Sequence, residues 1–400
     1  MTSWSEYSTG ERVKILRGTE LTQAGLAEAA GVSPALVQKL EQGGTVKVAS
    51  LISIGDALGA DVSVLLGQQA PRRAMSRAER TALRAMSLAV HDSALSPPDP
   101  SVEPPPLADL KAALARAWDG YWRGDYLNAC AIAPQLIAEA RAFVERHDGR
   151  LREQGFAVLA DVLQIAGCVA NLFGKPDLAY AAITHALRAA DESGDVLLAS
   201  VLNSALAWVH LRDGHVERAV SVSESAAVAI EPSFGRANPQ QLSVFGNLML
   251  RAAVSSARRN DRVRAEDYLS QAHAAAARLG VDADHYHTLF GPTTARTHSL
   301  EIHLAFDNVG KALDLIAETR LPRDVPLAAW GRHQLNVALA YSEAKRWDAA
   351  TDTLLEVCDR APNWIRHQVL AGAVAQRIGD GSTTNLRKVT QHLGVPLLPD

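Results

Sequence analysis

The sequence predicts an all-α protein, and three observations carry that prediction. Apolar residues recur at i, i+3, i+4 and i+7 through alanine-rich segments as far as the C-terminus, the period of an amphipathic helix. No alternating Val/Ile/Thr run bounded by hairpin turns suggests a strand. Of 400 residues, 48% are hydrophobic and 5% aromatic, a folded and helix-leaning balance that excludes intrinsic disorder. A chain of this length exceeds what one hydrophobic core sustains, so two or three domains are expected.

The start, Met1 to Gly18, is polar and charged with no apolar stretch before a small-residue cleavage site, so a cytoplasmic protein is expected. No run approaches the roughly 18 to 20 uninterrupted apolar residues of a membrane span. Residues 22–43 then read as two short helices around a tight turn. Thr22 caps the first, which buries Leu26, Ala27 and Ala30. Gly31 supplies the left-handed backbone that ends it. Val32 plugs the angle, Ser33 caps the second helix and Pro34 occupies its first turn, where a missing N–H costs nothing. Val37 and Leu40 face the core, which leaves Ser33, Pro34, Ala35, Leu36, Gln38 and Lys39 outside.

This small domain ends near Gln68. Arg72 to Val90 forms a basic amphipathic helix, with Arg72, Arg73, Arg77, Arg80 and Arg84 against Glu79, and an apolar stripe of Met75, Leu83, Met86 and Val90. Residues 94–107 hold six of the chain's 18 prolines and read as a semi-rigid linker. The expected division is therefore 1–68, a connector at 69–107, and a repeat region at 108–400. In that region a turn followed by a buried-type alanine recurs: Gly124-Asp125 then Ala129, Gly174 then Ala179, Asp213-Gly214 then Ala219, Asn260-Asp261 then Ala265, Asp307-Asn308 then Ala312, and Lys345-Arg346 then Ala350. Small residues let antiparallel helices approach, and the Gly/Asn/Asp positions cap the first helix of each hairpin.

These hairpins resemble the tetratricopeptide repeat, at a turn spacing of roughly 40 to 50 residues instead of the strict 34. The resemblance implies an α-solenoid with the first helix of each pair on its concave side. Residues 22–43 resemble the helix-turn-helix of phage-repressor-like (XRE-family) regulators, through Gln23, Ala27, Gly31, Val37 and Leu40. The match extends over residues 8–67, where Gly10 to Arg17, Leu51 to Gly59 and Val62 to Leu66 look like the family's first, fourth and fifth helices. The whole layout is similar to the actinobacterial regulators that join such a head to tetratricopeptide-like repeats. What this implies is a homodimer reading half-sites on double-stranded DNA, with its second motif helix in the major groove. Ser33, Pro34, Ala35, Gln38 and Lys39 would face base edges. Gln23 would clamp a phosphate, Lys47 would touch the backbone, and Arg17 joins the DNA-binding set. Pro34 and Ala35 replace the polar residues that usually read bases, so Gln38 and Lys39 are the remaining hydrogen-bonding readers. The alternative is a protein-interaction scaffold whose head no longer reads DNA.

In the relatives the superhelix receives a small molecule or peptide. The corresponding groove set here is Asp161, Gln164, Asn171, Trp208, Arg212, Asn247, Arg258, Thr294, Thr297, Glu301 and Arg332, with Tyr286 and Phe290 as further ligand-binding candidates. Phe290-Gly291-Pro292 either lines a pocket mouth or joins two repeats. His285, His287, His298 and His303 lack metal-ligand spacing. Cys130, Cys168 and Cys358 read as reduced packing residues. No enzymatic motif is found, so neither cofactor nor catalysis is expected. The formal charge of −4 hides an uneven distribution. Residues 1–68 hold five Lys/Arg against seven Asp/Glu, so phosphate attraction would have to come from the arginines of the connector helix.

Overall fold

The computed structural model describes residues 4, 7–18, 21–60, 62–66, 75–233, 236–379 and 385–393. Among these, every regular element is a helix, and the one extended pairing is an isolated bridge between Ala283 and Phe290. The fold is all-α. The chain divides into two compact units: Glu79–Asn336, and a second that takes in Met1–Ala78 and Val337–Asp400. Gln68, Arg72 and Arg73 lie outside the described residues.

The N-terminal segment holds α1 (Thr9–Arg17), α2 (Gln23–Ala30), α3 (Pro34–Glu41), α4 (Val48–Leu58) and α5 (Val62–Leu65). Its caps follow the sequence. Ser8 and Glu11 form a reciprocal capping box on α1. The Thr22 hydroxyl accepts from Gly25 N–H, and the Ser33 hydroxyl from Leu36 N–H. Gly31 closes α2 in the left-handed region at φ 63°. Val13, Leu26, Ala27, Val37, Ile54, Val64 and Leu65 are fully buried in one core. Gly10 has no room for a side chain, since a Cβ there would sit 2.1 Å from the Leu40 carbonyl oxygen. One expected surface cation is internal. Arg12 is buried, donating from Nε to Trp4 O and from a terminal nitrogen to Leu65 O.

The larger unit opens with α6 (Arg77–Leu95), which buries Leu83, Met86 and Val90 as the amphipathic reading required. Met86 Sδ lies 3.7 Å from Cys130 Sγ, so this connector helix packs on the repeat region. Then come α7 (Leu107–Trp122), α8 (Tyr126–Arg146), α9 (Gly149–Leu172), α10 (Pro176–Ser193), α11 (Val196–Arg212), α12 (Val216–Ala229), α13 (Pro239–Arg258), α14 (Arg262–Leu279), α15 (Pro292–Ala305), α16 (Val309–Glu318) and α17 (Leu327–Glu343). The division between the units falls inside α17, and in the other unit follow α18 (Trp347–Arg360), α19 (Pro362–Ile365), α20 (Val369–Gly379) and α21 (Leu386–Leu393), with α18 packed on the last three.

All six expected turns share one geometry. Each is three residues long, and its middle residue takes positive φ: Gly124 at 74°, Gly174 at 65°, Gly214 at 82°, Asn260 at 60°, Asp307 at 56° and Lys345 at 55°. The third residue's N–H returns to a carbonyl near the end of the preceding helix, as in Asp125 to Gly120 at 2.8 Å and Arg346 to Tyr341 at 2.8 Å. That bond satisfies a carbonyl the helix end leaves open. The following alanines, Ala129, Ala179, Ala219, Ala265, Ala312 and Ala350, have no exposed surface. A larger side chain at any of them would push the paired helices apart.

From α7 to α15 each helix packs on its neighbour in sequence, and α7, α9, α11, α13 and α15 also pack on one another in succession. These odd-numbered helices therefore make a continuous row from which polar side chains converge. One of them, α9, is long and apolar enough by length and composition to cross a membrane, but 83% of that apolar stretch is buried inside the protein. Cys130, Cys168 and Cys358 are free and buried.

Candidate ligand-binding site and DNA-reading surface

On the odd-numbered row, α9 presents Asp161, Gln164, Cys168 and Asn171 at helical spacing along one face. Gln164 and Asn171 are buried. From α11 come Trp208 and Arg212, and from α13 Asn247 and Arg251. The Arg212 and Arg251 guanidiniums lie 5.7 Å and 6.0 Å from the same Trp208 ring, within range of cation–π attraction. Asn247 accepts from the Ser204 hydroxyl at 2.7 Å through Oδ1, which orients its amide.

Burial disfavours the charge on Arg212, and neighbouring Arg332 adds repulsion, which together bring its pKa down to about 10. Burial also lowers Arg251, against the partial support of Glu301 and Cys168. The guanidinium is the most basic side-chain group, so Arg212 and Arg251 bring positive charge to this row. Glu301 is shared with Arg258, 3.9 Å away at the exposed rim. Burial raises Cys168 to about 12, so this thiol stays protonated. Burial depresses the pKa of His298, whose Nδ1–H donates to Thr294 O, 2.9 Å away.

Aromatic side chains of the first hairpin adjoin these groups. Trp118, Tyr121, Trp122 and Tyr126 form a chain of ring contacts between 5.3 and 6.4 Å. The Tyr121 hydroxyl bonds Cys168, and its own ionisation is pushed up by burial. Among the buried donors without a partner are Trp122 Nε1, Asn171 Nδ2 and Arg251 Nε. Such orphans are costly in a folded protein and point to an absent acceptor.

The connection from α14 to α15 crosses this row. Tyr286, His287 and Leu289 all adopt left-handed backbone, at φ 53°, 58° and 48°, conformations costing about 1 to 2 kcal/mol each for side-chain-bearing residues. Its contacts explain why it holds. The His287 ring stacks on Trp118 at 4.3 Å with a 17° tilt. Its nitrogens lie 3.6 Å from Asp161 and 3.7 Å from Asp284, and Trp118 Nε1 donates to Asp161 at 2.7 Å. The Tyr286 hydroxyl donates to the Asp195 carboxylate at 3.0 Å, at the start of α11.

Burial opposes a charge on His287, but the two aspartates outweigh it and bring its pKa up to about 9. A folded pKa above the ordinary value of about 6.5 gives a stabilisation fully present below pH 6.5 and lost as pH rises through about 9. Between pH 7 and 10, Trp118 emission and protease sensitivity within 284–290 should both change with a midpoint near 9. His287→Gln should abolish that transition.

Of the sequence-derived groove set, Asp161, Gln164, Asn171, Trp208, Arg212, Asn247 and Glu301 belong to this row, Arg258 marks its rim, and Arg332 stands on α17 within electrostatic reach of Arg212. Thr294 and Thr297 spend their hydroxyls on local bonds to Leu289 O and Thr294 O. Phe290 is a correction. It is fully buried in the hydrophobic core against Gly246 and presents nothing to a ligand. Tyr286 belongs to the crossing loop. Arg251, Trp118, Tyr121 and Trp122 are additions. Arg251 stands four residues after Asn247 as Arg212 stands four after Trp208, a helical offset visible in the sequence.

A separate surface cleft of about 340 Å³ lies among α12, α13 and α14. Its wall mixes Glu224, Glu231 and Asp267 with Arg264 over Phe245 and Met249, so it lacks a convergent set of like groups.

In the N-terminal segment, Ser33, Pro34, Ala35, Gln38, Lys39 and Lys47 are all exposed, and Leu36 is half-buried. Arg17 and Gln23 are otherwise engaged. Arg17 grips Glu41 at 2.6 and 3.1 Å and donates to Leu21 O at 2.6 Å, while Gln23 Nε2 donates to Glu41 at 2.7 Å. Their side chains fix α1, α2 and α3 to one another. No protein-family model matches the chain, and no curated protein matches it.

Proposed function

We propose that the chain is a cytoplasmic, sequence-specific DNA-binding regulator that works as a homodimer and is controlled by a ligand held among its helical hairpins. The observation that carries this reading is the face of α3. An eight-residue helix buries Val37 and Leu40 and leaves Ser33, Pro34, Ala35, Gln38 and Lys39 open to a groove. The Arg17–Glu41–Gln23 cluster stiffens the surrounding frame, which suits a helix that must meet base edges in fixed register. Ala35 offers a methyl contact to thymine, and Gln38 and Lys39 offer hydrogen bonds.

The charge inventory predicts the mode of binding. With Arg12 buried and Arg17 paired, the exposed described cations of the N-terminal segment are Lys14, Lys39 and Lys47. Few phosphate contacts mean a shallow salt dependence per subunit and a reliance on two heads per site. Purified protein should retain a specific promoter fragment over competitor DNA at moderate salt. Lys39→Ala should weaken that retention by about tenfold, the scale of one base contact. Equal retention of every sequence, with a stoichiometric protein partner recovered instead, would favour the scaffold reading.

A further inference from the structure

We infer that the pocket on the odd-numbered row receives a compact aromatic carboxylate, held by the Arg212 and Arg251 guanidiniums that share the Trp208 ring and oriented by the Asn171 amide. This rests on reading the hairpins as the ligand-receiving part of the protein. The chemistry of the open groups selects the ligand. The orphaned atoms Asn171 Nδ2 and Arg251 Nε are donors, so the missing partner is an acceptor. Asn171 is 4% exposed, which leaves water little access to stand in.

The charges around Arg212 point the same way. The groups bearing most on it are Arg332, Arg258, Tyr121 and Tyr126, of which the two tyrosines stay neutral at physiological pH and the two arginines repel. Asp161 is turned toward Trp118 and His287. No carboxylate is among the groups bearing on Arg212, and Glu301, which partly supports Arg251, is shared with Arg258, so the two guanidiniums at this indole carry positive charge for an anion that arrives with the ligand.

Shape argues for a flat, short molecule. Trp208 supplies a planar apolar wall, and the first hairpin adds the Tyr121 and Trp122 rings. An extended peptide would need alternating donors and acceptors along several hairpins, and the loop carrying Tyr286 and His287 already occupies the stretch from Trp118 to Asp195. Inorganic phosphate would leave the indole wall unused.

The test is a titration of the full chain, without DNA, by 2-naphthoate, its neutral isostere 2-naphthamide and inorganic phosphate, followed by tryptophan emission and calorimetry. The carboxylate should bind saturably, with the amide weaker by about 10- to 100-fold, the scale of a charged hydrogen bond. Arg251→Gln should cost more than about tenfold and Arg251→Lys less, and Trp208→Phe should remove most of the emission change. Equal binding of acid and amide, displacement by phosphate at comparable concentration, or no binding of the acid would overturn the inference. The acid-to-amide comparison uses unaltered protein, so it stands even if a variant fails to fold. A head that reads no operator leaves this titration unchanged, and a pocket that takes no carboxylate leaves the promoter test unchanged.

Discussion

Glu41→Ala should be the most damaging substitution in the N-terminal helices, lowering their stability by about 3 kcal/mol, the cost of removing one partner of a buried ion pair. The Glu41 side chain is 4% exposed and Arg17 13%. Truncation leaves the guanidinium without its counter-ion and the Gln23 amide without its acceptor. Thermal unfolding of the full chain measures the loss. Glu41→Gln keeps an acceptor without the charge and should lose less. Burial pushes the Glu41 carboxyl up, but the bonds from Arg17 and Gln23 outweigh it, and the net pKa lies below 4.5. The stabilisation is therefore present above about pH 4.5 and lost as pH falls through the folded-state value. The gap between wild type and Glu41→Gln should close in acid. A gap unchanged at pH 3 would show that the pair contributes through shape alone.

Gly246→Ala should have the second largest effect. A Cβ at this position of α13 would sit 2.0 Å from Phe290 Cζ, against a ring that is fully buried. The ring cannot retreat into a close-packed core, so the strain falls on the segment that carries it. Overpacking of this kind costs about 1 to 3 kcal/mol. Phe290 ends the loop that places His287 on Trp118. Gly246→Ala should therefore weaken that stack, seen as a shift in tryptophan emission and faster cleavage within 284–290. Phe290→Leu in the same background should restore both. Wild-type proteolysis of Gly246→Ala would separate the loop's position from the Phe290 anchor.

Local chemistry made much of the fold legible before any coordinates. Caps at Thr22 and Ser33, the left-handed stop at Gly31 and the turn-plus-alanine offset are short-range rules, and each reappears in the structure. The register of the groove followed from the same turns, which is why Asn171, Trp208 and Arg212 fall where the spacing put them. Long-range pairings were not legible. Nothing near Arg17 announces that Glu41 will claim it, and nothing near Phe290 distinguishes a pocket wall from a core plug until Gly246 is seen beneath it. Arg12 belongs to the same class, since its carbonyl partners Trp4 and Leu65 lie at opposite ends of the segment. Nothing near Trp118 marks its role, which depends on His287, far along the chain.

The crossing loop also governs how this unit should assemble and flex. Hairpins joined by three-residue turns involve short loop closures and can form early and independently. The Tyr286–Asp195 bond instead closes 91 residues, and the His287–Trp118 stack closes more. These contacts can pay their entropic cost only once the intervening hairpins are stacked, so they belong to the last stage of folding and the first stage of opening. A row of nearest-neighbour hairpins behaves as a spring, with each joint free to yield a little. A strap from the connection after its fourth hairpin back to its first hairpin makes the joints between move together.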